Sequence, residues 1–581
     1  MLKDKLIKYL RLVYIEVFLI LCGSIFYIKT IPHELPVIKS DGKGYYDYLP
    51  AFFIYNDLSF SFRGKDFDKY PADTSQNIPT KNGRIVNKFT CGTALLNTPF
   101  FLIGHFWAWN SDKHPVDGYS KPYQQSIYIG ALFYCCMGLV FLKLLLIAYF
   151  RNIFWIRVIQ FLVLYSTHLF IFTYHESSFS HVYSFSLITI FLFVTKSISD
   201  QKENVERNLF FSFGILLGLI ILVRPFNILI LLFLPFLFGG ISPLYQILKQ
   251  LFHKRKTDLF FTGLFFLLIC SIQPMIWLIQ AGVFLPWTHS EEGFNFFEPA
   301  MFQTLFSFKK GLLIYTPVLI LAFILFIQLI LKNKWSVFFQ LFGAVFILHY
   351  FISSWSCWWY AMSFGLRPYV DYLSVFALII YLGTIHLKPY LKIITSGLVF
   401  LSAYLNLIQT YQYTTYILHW ESMTYESYMK VFLKTDDQYK GFLWFDRKFN
   451  NPDREYLLNI YKINEKGLLL KEGEWITGYN RDFDLTKDQF ARGFNFVFEI
   501  DANVNDKTIF FMRITDLEKN QELIYHERFL FHLMEDYGMK KEINYFILLS
   551  HPPQSKINLV FGFRKIENPL HFRPIQIEFY R

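Results

Sequence analysis

An uncharged apolar run stands just past the middle of the chain, at Leu312–Leu331, and reads LLIYTPVLILAFILFIQLIL. About 20 such residues in a helix cross the hydrocarbon core of a bilayer. Comparable runs occur at Leu209–Val223 and Leu259–Leu278. The 581 residues are 54% hydrophobic, 20% aromatic and only 17% charged, whereas a soluble protein carries about 25% charged residues. The sequence therefore predicts a polytopic α-helical membrane protein.

Apolar stretches of sufficient length predict about eleven membrane-spanning helices. They are 9–30, 126–150, 155–174, 182–198, 208–223, 226–240, 258–284, 312–331, 336–353, 372–386 and 393–412. A further stretch, Gly92–Trp109, is predicted to be a juxtamembrane or re-entrant helix, because one more crossing would put the N-terminus and the later basic loops on opposite sides. Without that crossing the short basic loops share one face, which the positive-inside rule makes cytoplasmic.

This orientation places the N-terminus in the cytoplasm and the loops rich in acidic and aromatic residues outside. The basic start and long apolar run of Met1–Thr30, without a small-residue cleavage site, predict a retained signal anchor. The net charge of +11 does not indicate nucleic-acid binding, because the basic residues stand mostly in short loops between apolar segments. We expect a protein of the bacterial inner (plasma) membrane whose chemistry is on the outer face.

The sequence changes character after residue 412. Short alternating runs separated by Asn, Asp, Gly and Pro stand at 495–500, 508–514, 528–533, 545–549, 556–563 and 575–580. Alternation of this kind favours antiparallel strands. We therefore expect two domains: a transmembrane domain, 1–412, which includes a first outer loop with interfacial helices at 31–110, and a periplasmic or extracytoplasmic domain, 413–581, resembling a β-sandwich.

The first outer loop offers a carboxylate close to the membrane surface. Asp41 follows the first span by about ten residues, and Gly42 and Gly44 let the backbone turn tightly beside it. The aromatic run from Tyr45 to Phe60 suits an interfacial helix. Taken alone, Asp41 is equally a solvated aspartate that caps this helix.

Two stretches resemble a known family. Gly83–Trp107 (GRIVNKFTCGTALLNTPFFLIGHFW) is similar to the second juxtamembrane helix of the GT-C glycosyltransferases, with Lys88 as the preceding basic residue. Leu217–Leu234, with Arg224-Pro225 at its break, resembles the segment joining their fifth and sixth spans. Protein O-mannosyltransferases and the aminoarabinose transferases of lipid A belong to this group.

The resemblance implies transfer of a sugar from a polyprenyl-phosphate donor to a lipid, glycan or protein acceptor on the outer face. Many members carry two acidic residues adjacent or one apart, whereas here Asp47 follows Asp41 by six positions. This departure leaves a requirement for a divalent cation open, and no metal ligands are assigned.

The residue types suit that chemistry. An inverting transfer needs a base for the acceptor hydroxyl, for which Asp41 is the candidate, with Asp47 as a helper or a structural partner. The phosphate leaving group needs cations. The candidates on the outer face are Lys88, Arg224, Lys309, Lys310 and Arg367. Arg224 alternatively snorkels from a helix end, and Lys309 and Lys310 alternatively form a solvated basic pair.

Substrate-binding candidates come from three outer segments. They are His175, Glu176, His289, Glu291, Glu292, Trp358, Trp359 and Tyr360. Aromatic rings stack on sugars but also form interfacial belts, and an outer-loop histidine is often structural. Two other classes of function stay open: a transporter or flippase for a lipid-linked glycan, and a noncatalytic assembly protein that binds envelope polymers. Transporters usually show pseudo-symmetric halves, which this sequence lacks.

Overall fold

The structure is a computed structural model of the full chain. It describes residues 2–31, 37–60, 77–79, 85–201, 205–289, 292–332, 334–361, 363–385, 387–415, 417–419, 423–436, 439, 457–463, 468–470, 473–484, 493–501, 509–517, 521–529, 542–548, 556–566 and 570–580. The chain divides into two compact units, Met1–Thr414 and Thr415–Arg581.

The first unit is almost entirely helical. Its α-helices are α1 (Leu2–Thr30), α2 (Ser40–Tyr46), α3 (Tyr48–Phe53), α4 (Gly92–Trp109), α5 (Lys121–Ile147), α6 (Ile153–Tyr165), α7 (Leu169–Tyr174), α8 (His181–Gln201), α9 (Arg207–Val223), α10 (Leu234–Leu237), α11 (Ile241–Lys254), α12 (Lys256–Cys270), α13 (Ile272–Ala281), α14 (Met301–Phe306), α15 (Leu312–Tyr315), α16 (Ile320–Leu331), α17 (Trp335–Ser353), α18 (Leu373–Thr384) and α19 (Pro389–Thr414). Segments of 3-10 helix lie at Pro225–Phe233, Pro317–Leu319 and Arg367–Tyr372. A hairpin pairs β1 (Asn77–Pro79) with β2 (Ile85–Asn87).

Six helical stretches among the described residues are long and apolar enough to cross a bilayer. They are Val13–Thr30, Lys121–Ile147, His181–Gln201, Lys256–Ala281, Trp335–Ser353 and Pro389–Thr414. A seventh crossing results if Pro225–Leu237 and Ile241–Lys254, which meet at 100°, form one span. The helical membrane class is confirmed, whereas the predicted count of about eleven spans is not.

Breaks in the helices explain the difference between the predicted and the observed spans. The predicted span 155–174 is divided into α6 and α7, with Ser166, Thr167 and His168 between them. Pro317 interrupts the predicted span 312–331, since proline removes a backbone donor. Much of the predicted span 226–240 is 3-10 helix. Hydropathy averaged over a span does not detect these breaks, because apolar residues dominate on both sides of each one.

Close packing between helices brings the polar ends of α8 and α9 together. Helix α8 is the most buried of the candidate spans and packs against both α5 and α9. Glycine permits this approach on α5, since a Cβ at Gly138 would lie 2.5 Å from the Phe185 ring. Antiparallel neighbours have their start and end at the same edge of a bundle. His181, which opens α8, and Arg224, which follows α9, therefore lie side by side.

The second unit contains two antiparallel sheets. Its elements are α20 (Tyr425–Val431), β3 (Leu457–Lys462), β4 (Leu468–Leu470), β5 (Gly473–Asp484), β6 (Gly493–Asp501), β7 (Ile509–Asp516), β8 (Gln521–Phe529), β9 (Glu542–Leu548), β10 (Lys556–Ile566) and β11 (Leu570–Tyr580). One sheet has the order β5-β10-β7-β8, and the other has the order β3-β11-β6-β9 with β4 paired to β11. The predicted β character of the C-terminal region is confirmed.

Aromatic side chains join the two sheets. Phe498 of β6 lies 5.4 Å from Phe510 of β7, and Phe496 of β6 lies 5.5 Å from Phe561 of β10, measured between ring centroids. All four rings are buried. Phe496 and Phe498, two positions apart on β6, therefore face the opposite sheet, which is the period expected for a strand with one buried face.

Candidate active site

Asp41 is presented by a tight turn at the start of α2. Ser40 has a φ of +47°, in the left-handed region, and Asp41 follows it in the first helical turn. A Cβ at Gly42 would lie only 2.7 Å from the Cβ of Ser178 and would also clash with its hydroxyl. Glycine at this position lets α2 pack directly on the segment that precedes α8, which fixes the place of Asp41.

Arg367 is the partner of Asp41. Its Nη1 forms an ion pair with Asp41 Oδ2, and both side chains are mostly buried. The guanidinium also lies over the ring of Phe179, 5.8 Å from its centroid. Burial acts to lower the pKa of Arg367, but the Asp41 charge outweighs it, so the pKa is raised above its ordinary value. Arg367 therefore carries a positive charge at any physiological pH.

A second cluster of polar and charged side chains surrounds Asp371, which lies on the same 3-10 segment as Arg367. Asp371 Oδ1 accepts a hydrogen bond from His181 Nδ1 at 2.7 Å. Its Oδ2 accepts one from Asn227 Nδ2 at 2.9 Å and lies 3.4 Å from Arg224 Nε. Asp371 therefore ties the start of α8 and the end of α9 to the Arg367–Tyr372 segment, and it orients Arg224.

Two tyrosines lie between the ion pairs. Tyr45 is buried, and its phenol interacts electrostatically with Arg224, Asp41 and Arg367. Tyr360 interacts electrostatically with Arg224, Arg367 and Asp371. Its hydroxyl donates a hydrogen bond to the Ile352 carbonyl at 2.9 Å. Burial raises the pKa of both phenols, so both stay neutral.

The loop after α13 reaches the same cluster. Lys88 Nζ bonds Glu292 Oε1 at 2.8 Å, and Thr288 Oγ1 donates to the Lys88 carbonyl at 3.0 Å. Burial and then the Lys88 charge lower the pKa of His289 to about 4, and Arg224 and Asp41 also act on it. His289 is thus a neutral imidazole near the ion pairs. Glu291 lies outside the described residues.

A third cluster of polar side chains lies near Arg367, in the segment between α7 and α8. Lys39 Nζ lies 2.8 Å from His175 Nε2, and Tyr413 donates to Glu176 Oε1 at 2.7 Å. Burial raises the pKa of Glu176, although Lys39, Tyr413 and Arg367 act in the opposite direction. Burial, followed by Lys39, lowers the pKa of His175 well below its ordinary value.

The remaining predicted residues lie around the cluster or within the core. Lys309 stands over the Trp359 ring, 3.7 Å from its centroid, and Trp358 packs edge-on against Trp359. Lys310 is buried and donates to the Ser363 carbonyl, and its charge acts on Glu176. Asp47 is fully buried at the α2–α3 corner, where Tyr119 donates to it at 2.7 Å. Asp47 therefore helps to hold the first outer loop together.

No family model matches the chain, and no curated protein matches it. One solved structure is similar: archaeal oligosaccharyltransferase AglB from Archaeoglobus fulgidus, in complex with an inhibitory peptide and a dolichol-phosphate. The sequence identity is 10% and the TM-score 0.39; the match covers 76% of this chain and 61% of that one. The chain thus spans less than two thirds of that protein. A likeness of this size leaves the site to be judged on its own residues.

Sequence reasoning assigns no role to Asp371, Asn227 or Lys39, which the structure places in the cluster. Asp371 and His181 hold Arg224, Asn227 holds Asp371, and Lys39 holds His175. Two signals were present: Asp371 follows Arg367 by about one helical turn, and Asn227 is a polar residue within an apolar run. Among the described residues, no three His, Cys, Asp or Glu side chains lie close enough together to hold a metal ion.

Proposed function

We propose that the protein is a membrane glycosyltransferase that moves a sugar from a polyprenyl-phosphate-linked donor to an acceptor on the outer face of the membrane. The observation that carries this proposal is the convergence of Asp41–Arg367 with Arg224–Asp371 at one end of the helical bundle. The cluster supplies a fixed carboxylate and two guanidinium groups at the ends of apolar helices. Transfer from a lipid phosphate needs both kinds of group at such a depth.

In this mechanism Asp41 is the general base. The acceptor hydroxyl gives its proton to an Asp41 oxygen as its own oxygen bonds to the anomeric carbon. The bond between that carbon and the phosphate oxygen breaks, and polyprenyl phosphate leaves with the electron pair. Arg367 fixes the orientation of the base, because its Nη1 already holds Asp41 Oδ2.

Arg224 binds the donor phosphate and also stabilises the charge that develops on it as it leaves. A guanidinium presents two parallel N–H groups to phosphate oxygens. Asp371 holds Arg224 through Nε, and His181 lies 3.1 Å from its Nη1. Tyr45, a neutral phenol close to both guanidinium groups, is placed to donate to the sugar or the phosphate. Lys88 adds a further positive charge at the edge of the cluster.

The outer loops supply the acceptor side of the site. His289 lies 5.4 Å from Trp355 between ring centroids, and Lys309 stands over Trp359, against which Trp358 packs. Flat aromatic faces bind sugar rings and peptide side chains by stacking. We assign the acceptor to this surface. In the cell the site faces the periplasm or the outside, with the N-terminus in the cytoplasm of a bacterial inner membrane.

The test is sugar transfer by purified, reconstituted protein from radiolabelled polyprenyl-phosphate sugars to an envelope extract. Replacing Asp41 by Asn should lower the rate by about 10²–10⁴-fold, which is typical for loss of a general base. The matched control is Asp57→Asn, on the same loop, where the carboxylate bonds Ser59. Near-normal transfer by a stably folded Asp41→Asn protein contradicts the proposed base. Movement of a lipid-linked glycan across the bilayer without transfer identifies a flippase instead.

A further inference from the structure

Helix α11 has an apolar face that no other part of the described chain covers. Ile241, Tyr245, Leu248 and Phe252 are 72%, 65%, 41% and 62% exposed. Their spacing of four, three and four residues puts them on one side of an α-helix. Four large apolar side chains aligned in this way on a short helix indicate a binding surface rather than scattered exposure.

The other sides of α11 have different environments. Leu251 is buried in a cluster with Ile198, Val205 and Phe210, which attaches the helix to the bundle. Lys249, His253 and Lys254 are exposed, as are Gln246 and Gln250. The helix therefore has one flank on protein, one apolar flank without protein, and a basic polar side.

The position of α11 follows from its neighbours. Arg207 opens α9, and its Nε bonds Asp258 near the start of α12 at 2.8 Å. The other end of α9 is followed by Arg224 of the candidate active site. Seventeen residues of helix separate these ends, a rise of about 25 Å. Helix α11, which leads into α12, thus lies at the membrane face opposite the candidate active site.

The orientation of α11 excludes a role as half of a span. The helix meets the preceding Pro225–Leu237 segment at 100° and therefore runs across the bundle end. Its lysines and glutamines would be costly in the hydrocarbon core. Helix α12, which follows, belongs to the least buried of the candidate spans, with Phe260, Leu267 and Leu268 exposed. The apolar flank of α11 is thus next to a lipid-facing surface.

We propose that α11 is an interfacial helix that docks on the anionic headgroup region of the bilayer. Its apolar flank inserts among the upper acyl chains, and the exposed Lys249, Lys254 and adjoining Lys256 attract lipid phosphates. Basic side chains and an apolar stripe at right angles to the spans are the features that retain a helix in this layer. The occupant is a lipid surface, not a soluble protein. This inference does not depend on the proposed glycosyl transfer.

The experiment uses the full chain in nanodiscs and an environment-sensitive fluorophore on a single added cysteine. The cysteine is placed at Leu248 in one protein and at Gln250, on the polar side of the same helix, in the matched control. Signal from the native cysteines is subtracted using the protein without an added cysteine. Quenchers attached to the lipid chains should act several-fold more strongly at 248 than at 250. Equal quenching at the two positions overturns the proposal.

The lipid preference has its own measurement. Amide hydrogen exchange of α11 in the unlabelled protein should be slower in nanodiscs that contain phosphatidylglycerol than in pure phosphatidylcholine. Replacing Lys249 and Lys254 by Gln should reduce that difference by about fivefold for each lysine, since each contributes near an anionic surface. Exchange that is independent of lipid charge, or cross-links from position 248 to a second copy of the chain, overturns the proposal. Unchanged melting temperatures in detergent show that the variants fold.

Discussion

Arg367 and Asp371 stand on one 3-10 segment and bind opposite charges from distant parts of the chain: Arg367 holds Asp41, and Asp371 holds Arg224. The segment therefore presents a cation and an anion to the same cluster. Each charge is neutralised in place, which reduces the cost of burying it. Because one short segment holds both the proposed base and the proposed phosphate ligand, it sets their separation.

Arg224→Lys should weaken donor binding more than it slows transfer. Lysine keeps the charge but loses the two parallel donors, and loss of a hydrogen bond to a charged group weakens binding by about tenfold or more. The measurement is the dissociation constant of a polyprenyl-phosphate sugar. Arg207→Lys is the matched control, because Arg207 pairs with Asp258 at the other end of α9. An unchanged dissociation constant would remove Arg224 from the donor site.

Gly42→Ala should lower transfer while leaving most of the fold intact. The new methyl group overlaps Ser178, so α2 must shift and take Asp41 with it. Ser178→Gly in the same protein should restore part of the activity by making room. Gly263→Ala provides the control, because a Cβ there meets nothing within 4 Å. Full activity of Gly42→Ala would show that the position of α2 is not critical.

Acid should destabilise the folded protein through His289. Its pKa falls from 6.5 to about 4 on folding, so the unfolded state binds more protons within that window. Stability that is fully present above about pH 6.5 is lost as the pH falls towards 4. Melting temperatures measured across this range should fall less for His289→Gln than for the unchanged protein. The same substitution at exposed His253 should leave the pH profile as it was.

Glu16→Gln should destabilise the first unit strongly. Glu16 is fully buried in α1, where Lys143 and Arg157 lie 2.9 and 2.7 Å from its Oε1. Removing one member of a buried ion group costs about 3–5 kcal/mol, because the other charges stay buried without compensation. Asp200→Asn is the control, since Asp200 is half-exposed and an exposed pair with Lys196 contributes little. A similar drop in melting temperature for both variants would contradict this account.

The sequence indicates three of the charged residues that the structure brings together, but it does not show which residues they pair with. Asp41, Arg224 and Arg367 were each selected from local features: a glycine-rich turn, a charge at a helix break and an aromatic loop. The Asp41–Arg367 pair joins positions 326 residues apart, and no local pattern encodes such a contact. Asp47 looks like Asp41 in the sequence, yet it is packed against Tyr119, because burial depends on the whole fold.

Secondary structure was predictable where apolar and polar residues alternated regularly along the sequence. The alternation in 495–500 and 556–563 predicted strands that the structure contains in β6 and β10. The helical spans were less predictable than the strands, because hydropathy does not distinguish an α-helix from a 3-10 helix. Pro225–Phe233 is apolar throughout, so its backbone form could not be read from composition.

That 3-10 segment has a consequence for mutagenesis. A 3-10 helix has three residues per turn, so every third side chain lies in one straight column. The buried side chains of the segment are Asn227, Ile230 and Phe233, one complete column, and Asn227 at its head bonds Asp371. Deleting one residue from the segment would rotate the side chains after the deletion by about a third of a turn relative to those before it. The number of residues in this segment, more than the identity of its apolar side chains, therefore decides whether Arg224 and Asn227 contact Asp371.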